Sequence, residues 1–129
     1  YWKTWDRQIR DHLLGNELIS EDDLQLYQYT DSVDQAVRWV TRFYRNYHSS
    51  RFVGDRLILR LKHAPAASAM AALREDFADI VAGAPIELCE ATGEEREDDD
   101  HVELPRLSFG FDRKSYGRLR ELIDRLNAL

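Results

Sequence analysis

The residues best placed for chemistry are basic. Arg56, Arg60 and Lys62 punctuate the run Arg56-Leu57-Ile58-Leu59-Arg60-Leu61-Lys62, and Arg106 opens Arg106-Leu107-Ser108-Phe109-Gly110-Phe111. Both runs alternate with a period of two, so each predicts a strand with one apolar and one basic or small face. Four cations on one sheet face, with Ser108 and Gly110 beside them, could hold an anion or a phosphate. The plainer expectation for that face is a solvated or subunit-contacting surface. Base stacking on RNA would need aromatic side chains there, but Phe109 and Phe111 fall on the apolar side.

Two other stretches invite a chemical reading. Glu94-Glu95-Arg96-Glu97-Asp98-Asp99-Asp100-His101 is rich in oxygen ligands but lacks the glycine placement and ligand spacing of a calcium loop, so a solvated hairpin loop is expected. His48-Ser49-Ser50-Arg51 sets His beside Ser, yet a catalytic pair is defined by geometry and not by adjacency; local hydrogen bonding is expected there. The chain has no Gly-rich phosphate loop, no Ser nucleophile elbow and no His-Glu zinc motif. No catalytic residue, metal ligand or cofactor is therefore assigned.

Composition narrows the class. With 129 residues, 43% hydrophobic and 33% charged, the chain is globular in character and can bury a core. A net charge of −6 argues against nucleic acid as a partner. No apolar run approaches the ~18 residues of a membrane span. Cys89 is the single cysteine, which excludes an internal disulfide or a Cys-based zinc site and suggests a reducing, cytoplasmic setting. The start at Tyr1-Trp2 reads as an interrupted helix, so the chain is expected to be the C-terminal piece of a larger protein.

These candidates need elements to position them. Trp2, Trp5, Ile9 and Leu13 predict a helix over 1–14, ended at Gly15-Asn16. Ser20 predicts the cap of a short helix, and Leu26–Tyr29 a short strand. Asp31 or Ser32 caps a helix whose apolar stripe runs from Val33 through Tyr47. Residues 48–55 read as a linker or hairpin-like entry. Strands are expected near 56–62, 85–91 and 106–112, with helices near 66–82 and 113–127 on one face. Leu57, Leu59, Leu61, Ile86, Leu88, Leu107, Phe109 and Phe111 should point inward. That order, βαββα, predicts a three-stranded module of ferredoxin-like type over 56–129.

The first third resembles a known family. Tyr1-Trp2, Ile19-Ser20-Glu21-Asp22-Asp23-Leu24, Tyr29-Thr30-Asp31-Ser32, the helix around Val37, and Phe43-Tyr44-Arg45-Asn46-Tyr47-His48-Ser49-Ser50-Arg51-Phe52-Val53-Gly54-Asp55 are similar to the end of LONELY GUY (LOG) family proteins, in particular the long bacterial members formerly labelled lysine decarboxylases. The resemblance implies an α/β fold: residues 1–47 would be the last elements of a Rossmann-like domain, 48–55 a linker, and 56–129 a C-terminal extension, α+β within itself. It implies a phosphoribohydrolase that splits nucleoside 5′-monophosphates into base and ribose 5-phosphate. Its partners would be a homodimer mate or the upstream Rossmann-like segment. The family's PGGxGTxxE signature is absent, so no catalytic residue carries over and this chain alone is expected to be inactive. The other reading is a non-enzymatic dimerisation or small-ligand regulatory module.

Overall fold

A computed structural model describes residues 1–129. The strands are β1 (Tyr47–Val53), β2 (Arg56–Leu61), β3 (Glu87–Cys89) and β4 (Arg106–Gly110). They form one antiparallel sheet of four strands in the order β1-β2-β4-β3. The helices are α1 (Trp2–Gln8), α2 (Val33–Phe43), α3 (Ala67–Asp76), α4 (Gly93–Glu97) and α5 (Tyr116–Asn127). The fold is thus mixed α and β.

The alternating runs become the central strands β2 and β4. Their register sets Leu57 opposite Phe109 and Leu59 opposite Leu107. Those side chains, with Leu61 and Ile86, pack against Met70 and Leu73 of α3, against Phe77 and Ile80 just beyond it, and against Leu122, Ile123 and Leu126 of α5. Burying each large aliphatic side chain contributes roughly 1.5–3 kcal/mol, so this layer holds the module together. Leu88 departs from the expected inward set: it lies on a three-residue edge strand and is 44% exposed. β2 and β3 run the same way with β4 between them, and α3 makes the crossover.

The expected linker over 48–55 is a strand instead. β1 pairs with β2 along its length through a two-residue turn, Gly54-Asp55, in which Gly54 has φ 61°. Glycine at the first turn position supplies the primed geometry that matches strand twist. The register slips between Tyr47 and Ser49, which puts a bulge at His48. The sheet therefore has one strand more than expected.

Of residues 1–46, the turn over Asp22–Leu26 and α2 pack on α5. Helix 1–14 begins as α1 and widens into π-type turns over Ile9–Leu14. The expected strand at Leu26–Tyr29 is absent: a 3-10 turn over Asp22–Leu26 ends there, and residues 27–29 meet no sheet edge with which to pair. Ser32 caps α2 by accepting from the Gln35 amide at 3.3 Å, but the helix stops at Phe43 rather than running to Tyr47. The join to the sheet is polar and buried. The Asn127 Oδ1 accepts from the amides of Asn46 and Tyr47, both at 2.8 Å, and the Asn46 side chain reaches the Leu126 carbonyl at 3.1 Å. Gly117 lets α5 approach the backbone of Asp22, where a Cβ would collide with the carbonyl.

Candidate functional site

The expected basic face is real as a pattern but not open. Arg60 and Arg106 are register partners across β2 and β4, so their side chains leave the sheet side by side. Like charges directly opposite each other are destabilising unless answered. Here Arg60 is 3% exposed and Arg106 1%, and both close on Glu95, which is fully buried. The Arg60 Nε and Nη2 donate to Glu95 Oε1 at 2.9 and 2.7 Å, and the Arg106 Nε donates to both carboxylate oxygens at 3.2 Å. The remaining Arg106 donors go to backbone carbonyls, those of Asp100 at 3.1 Å and His101 at 2.7 Å among them.

Local sequence explains how Glu95 reaches that position. Thr92-Gly93-Glu94-Glu95 forms a capping box: the Thr92 hydroxyl accepts from the Glu95 amide at 3.2 Å, and Glu95 Oε2 accepts from the Thr92 amide at 3.1 Å. The box starts the short helix α4 and aims Glu95 down at the sheet. Asp100 lies at the rim, accepting from Arg60 at 2.6 Å and Arg51 at 3.0 Å, while Asp98 accepts from Arg51 at 3.0 Å. The acidic run is therefore a cover over the second sheet face through Glu95 and Asp100, while Glu94, Arg96, Glu97, Asp98, Asp99 and His101 stay exposed as expected of a solvated loop.

The electrostatics reflect this geometry. Burial pushes the Glu95 carboxyl up. The Thr92 amide and the guanidinium groups of Arg60 and Arg106 outweigh that and hold it below the ordinary carboxylate range. For Asp100, burial again acts upward, and Arg51 and Arg60 bring the carboxyl down on balance. Arg51 is raised, first by its hydrogen bonds to Asp98 and Asp100.

The other expected face residues are dispersed. Arg56 donates to Glu87 at 2.8 Å and to Ser108 at 2.9 Å at the far end of the strand. Lys62 is exposed past the end of β2 and donates to the Tyr44 carbonyl. The structure brings Arg60 and Arg106 together and leaves Arg56 and Lys62 outside their cluster. In the His48–Arg51 stretch, Ser49 accepts weakly from Arg60 at 3.3 Å, and the His48 ring lies edge-on to His101, with centroids 4.4 Å apart. No group of three or more His, Cys, Asp or Glu side chains is placed to hold a metal ion. No helix is long and apolar enough to cross a membrane.

The second feature is apolar. α1, α2 and the turns between them contain no buried residue. They enclose an open groove of about 700 Å³ lined by Trp2, Trp5, Ile9, Trp39 and Phe43, among others. Its polar fringe is sparse: Asp6 accepts from the Tyr27 hydroxyl at 2.7 Å, and the Arg120 guanidinium lies 4.5 Å over the Phe43 ring. Val37 and Val40, both on α2, are 55% and 59% exposed.

Glu95 is the residue that sequence reasoning missed. One signal for it was local. Thr92-x-x-Glu95 has the spacing of a capping box, and the pairing of Arg60 with Arg106, which the strand register shows and the sequence does not, calls for a carboxylate between them. The chain matches no protein-family model, no curated protein and no solved structure among those compared.

Proposed function

We propose that this chain is the C-terminal part of a LOG-like nucleoside 5′-monophosphate phosphoribohydrolase, and that within it the chain docks and supports but does not catalyse. The observation that carries the docking half is the aromatic groove over residues 2–44, whose helices have apolar side chains and no core of their own. A Rossmann-like body would cover such helices as its last layer. The sequence resemblance over residues 1–55 supplies the identity of that body. The missing glycine-rich signature fits the division of labour, because a phosphate loop and a catalytic carboxylate would both have to come from upstream. On this reading the sheet is ferredoxin-like: β2, α3, β3, β4 and α5 make the split unit, and β1 fills the edge beside β2.

The test is the coding sequence ahead of Tyr1. A strand leading into PGGxGTxxE supports the reading, and an unrelated upstream sequence removes it. The same groove also favours a second reading, a non-enzymatic dimerisation module. Sedimentation separates the two. A dimer of the 129-residue chain that Val40→Glu dissociates favours the module; dimerisation seen only in the longer protein favours the docking role.

A further inference from the structure

Residues 91–104 cover the second face of the sheet, and they are held unlike any other part of the chain. None of them belongs to the apolar core. Ala91 is buried and Leu104 partly buried among them, while Val102 is 37% exposed. Their hold is ionic and hydrogen-bonded: Glu95 to Arg60 and Arg106, Asp100 to Arg60 and Arg51, Asp98 to Arg51, and backbone carbonyls to Arg106. The backbone works against it. Asp99 and His101 sit in the left-handed region, at φ 51° and 52°, which costs L-residues energy. A segment with little apolar burial, strained backbone and a few strong polar ties is where local opening separates from global unfolding.

The face beneath it is equally specific. Without the Glu95 carboxylate, two guanidinium forks would stand opposite each other on β2 and β4, with Arg51 on the flank and the Ser49 hydroxyl beside Arg60. Guanidinium forks accept phosphate in the geometry in which they accept carboxylate. Glu95 thus occupies the position of an external anion.

We propose that residues 91–104 are a charge-latched strap masking an anion-binding face, and that Arg60 and Arg106, flanked by Arg51, take a polyphosphate group when Glu95 and Asp100 release them. This rests on side-chain geometry and not on the phosphoribohydrolase reading, so either can fail alone. Hydrogen exchange on the whole chain tests the latch, with pyrophosphate titration by calorimetry as the binding arm. In Glu95→Gln, the acceleration of amide exchange at residues 92–104 should exceed that at β2 and α5 by about tenfold or more. Pyrophosphate should bind that variant about tenfold more tightly than wild type, and the gain should shrink as salt is raised. Asp100→Asn, at the half-exposed rim, should show the same pattern at smaller amplitude, and it carries the comparison if Glu95→Gln does not fold. Three results would each overturn the proposal: no change in strap exchange, strap and α5 accelerating in step, or an opened strap with unchanged pyrophosphate affinity.

Discussion

Arg60→Ala should destabilise the sheet module as severely as truncation of a core phenylalanine. On an open sheet face the loss would be that of a surface ion pair, about 0–1 kcal/mol. In the structure Arg60 is 3% exposed and gives two hydrogen bonds to Glu95, at 2.9 and 2.7 Å, and one to Asp100 at 2.6 Å. Removing one partner of a buried pair costs about 3–5 kcal/mol, because the other charge stays buried with less to answer it. Arg106 and the Thr92 amide remain to Glu95, which favours the lower end of that range. Phe109→Ala, at a fully buried core position, should cost about 3–5 kcal/mol as well. Either is a large share of the roughly 5–15 kcal/mol that holds an ordinary domain. Arg125→Ala, which breaks an exposed pair with Asp76, is the control and should stay within about 0.5 kcal/mol. Urea unfolding monitored by far-UV circular dichroism is the suitable assay. Tryptophan emission is not, since Trp2, Trp5 and Trp39 all lie outside the sheet. An Arg60→Ala loss below about 1 kcal/mol would refute the view that the cluster is buried and coupled.

Two more outcomes are expected from the geometry. Gly117→Ala places a methyl against the Asp22 carbonyl, so the 22–26 turn should lift from α5 at a cost of about 1–3 kcal/mol; tryptophan emission should shift before the sheet signal changes, and coincident transitions would count against it. Glu95 and Asp100 have carboxyls below their ordinary values of 4.5 and 3.8, so their contribution is complete above that range and disappears as pH falls through the lower folded values. Thermal melts should therefore barely change from pH 7 to pH 5 and fall below about pH 4, with a shallower fall in Glu95→Gln; a loss that begins at about pH 6 would point to other groups.

The residues disclosed an element when its pattern was its own, and hid it when two elements had to be read at once. Leu57-x-Leu59-x-Leu61 and Leu107-x-Phe109 carry their own alternation, so β2 and β4 were legible from local pattern alone. The stripes Met70-Leu73-Phe77 and Leu122-Ile123-Leu126 were equally local. β1 was not, because Tyr47-His-Ser-Ser-Arg-Phe-Val53 has no clean alternation and owes its strand to β2 beside it; Gly54-Asp55 was the one local clue. Glu95 was hidden for a related reason. In a run of acids each residue reads as solvated, and only the pairing of Arg60 with Arg106 across two strands creates the demand that selects one of them. The groove is the converse case: the helix stripes of Trp2, Trp5 and Ile9 and of Val37 and Val40 were legible locally, and the fold leaves the surface they form uncovered.

Release of free base from nucleoside 5′-monophosphates is the most direct test of the proposed role. The longer protein that this proposal requires and the 129-residue chain should be assayed side by side with AMP and its relatives. Base and ribose 5-phosphate are expected from the longer protein and neither from the chain alone. Turnover by the isolated chain, or a longer protein inert toward every monophosphate, would contradict that division of labour.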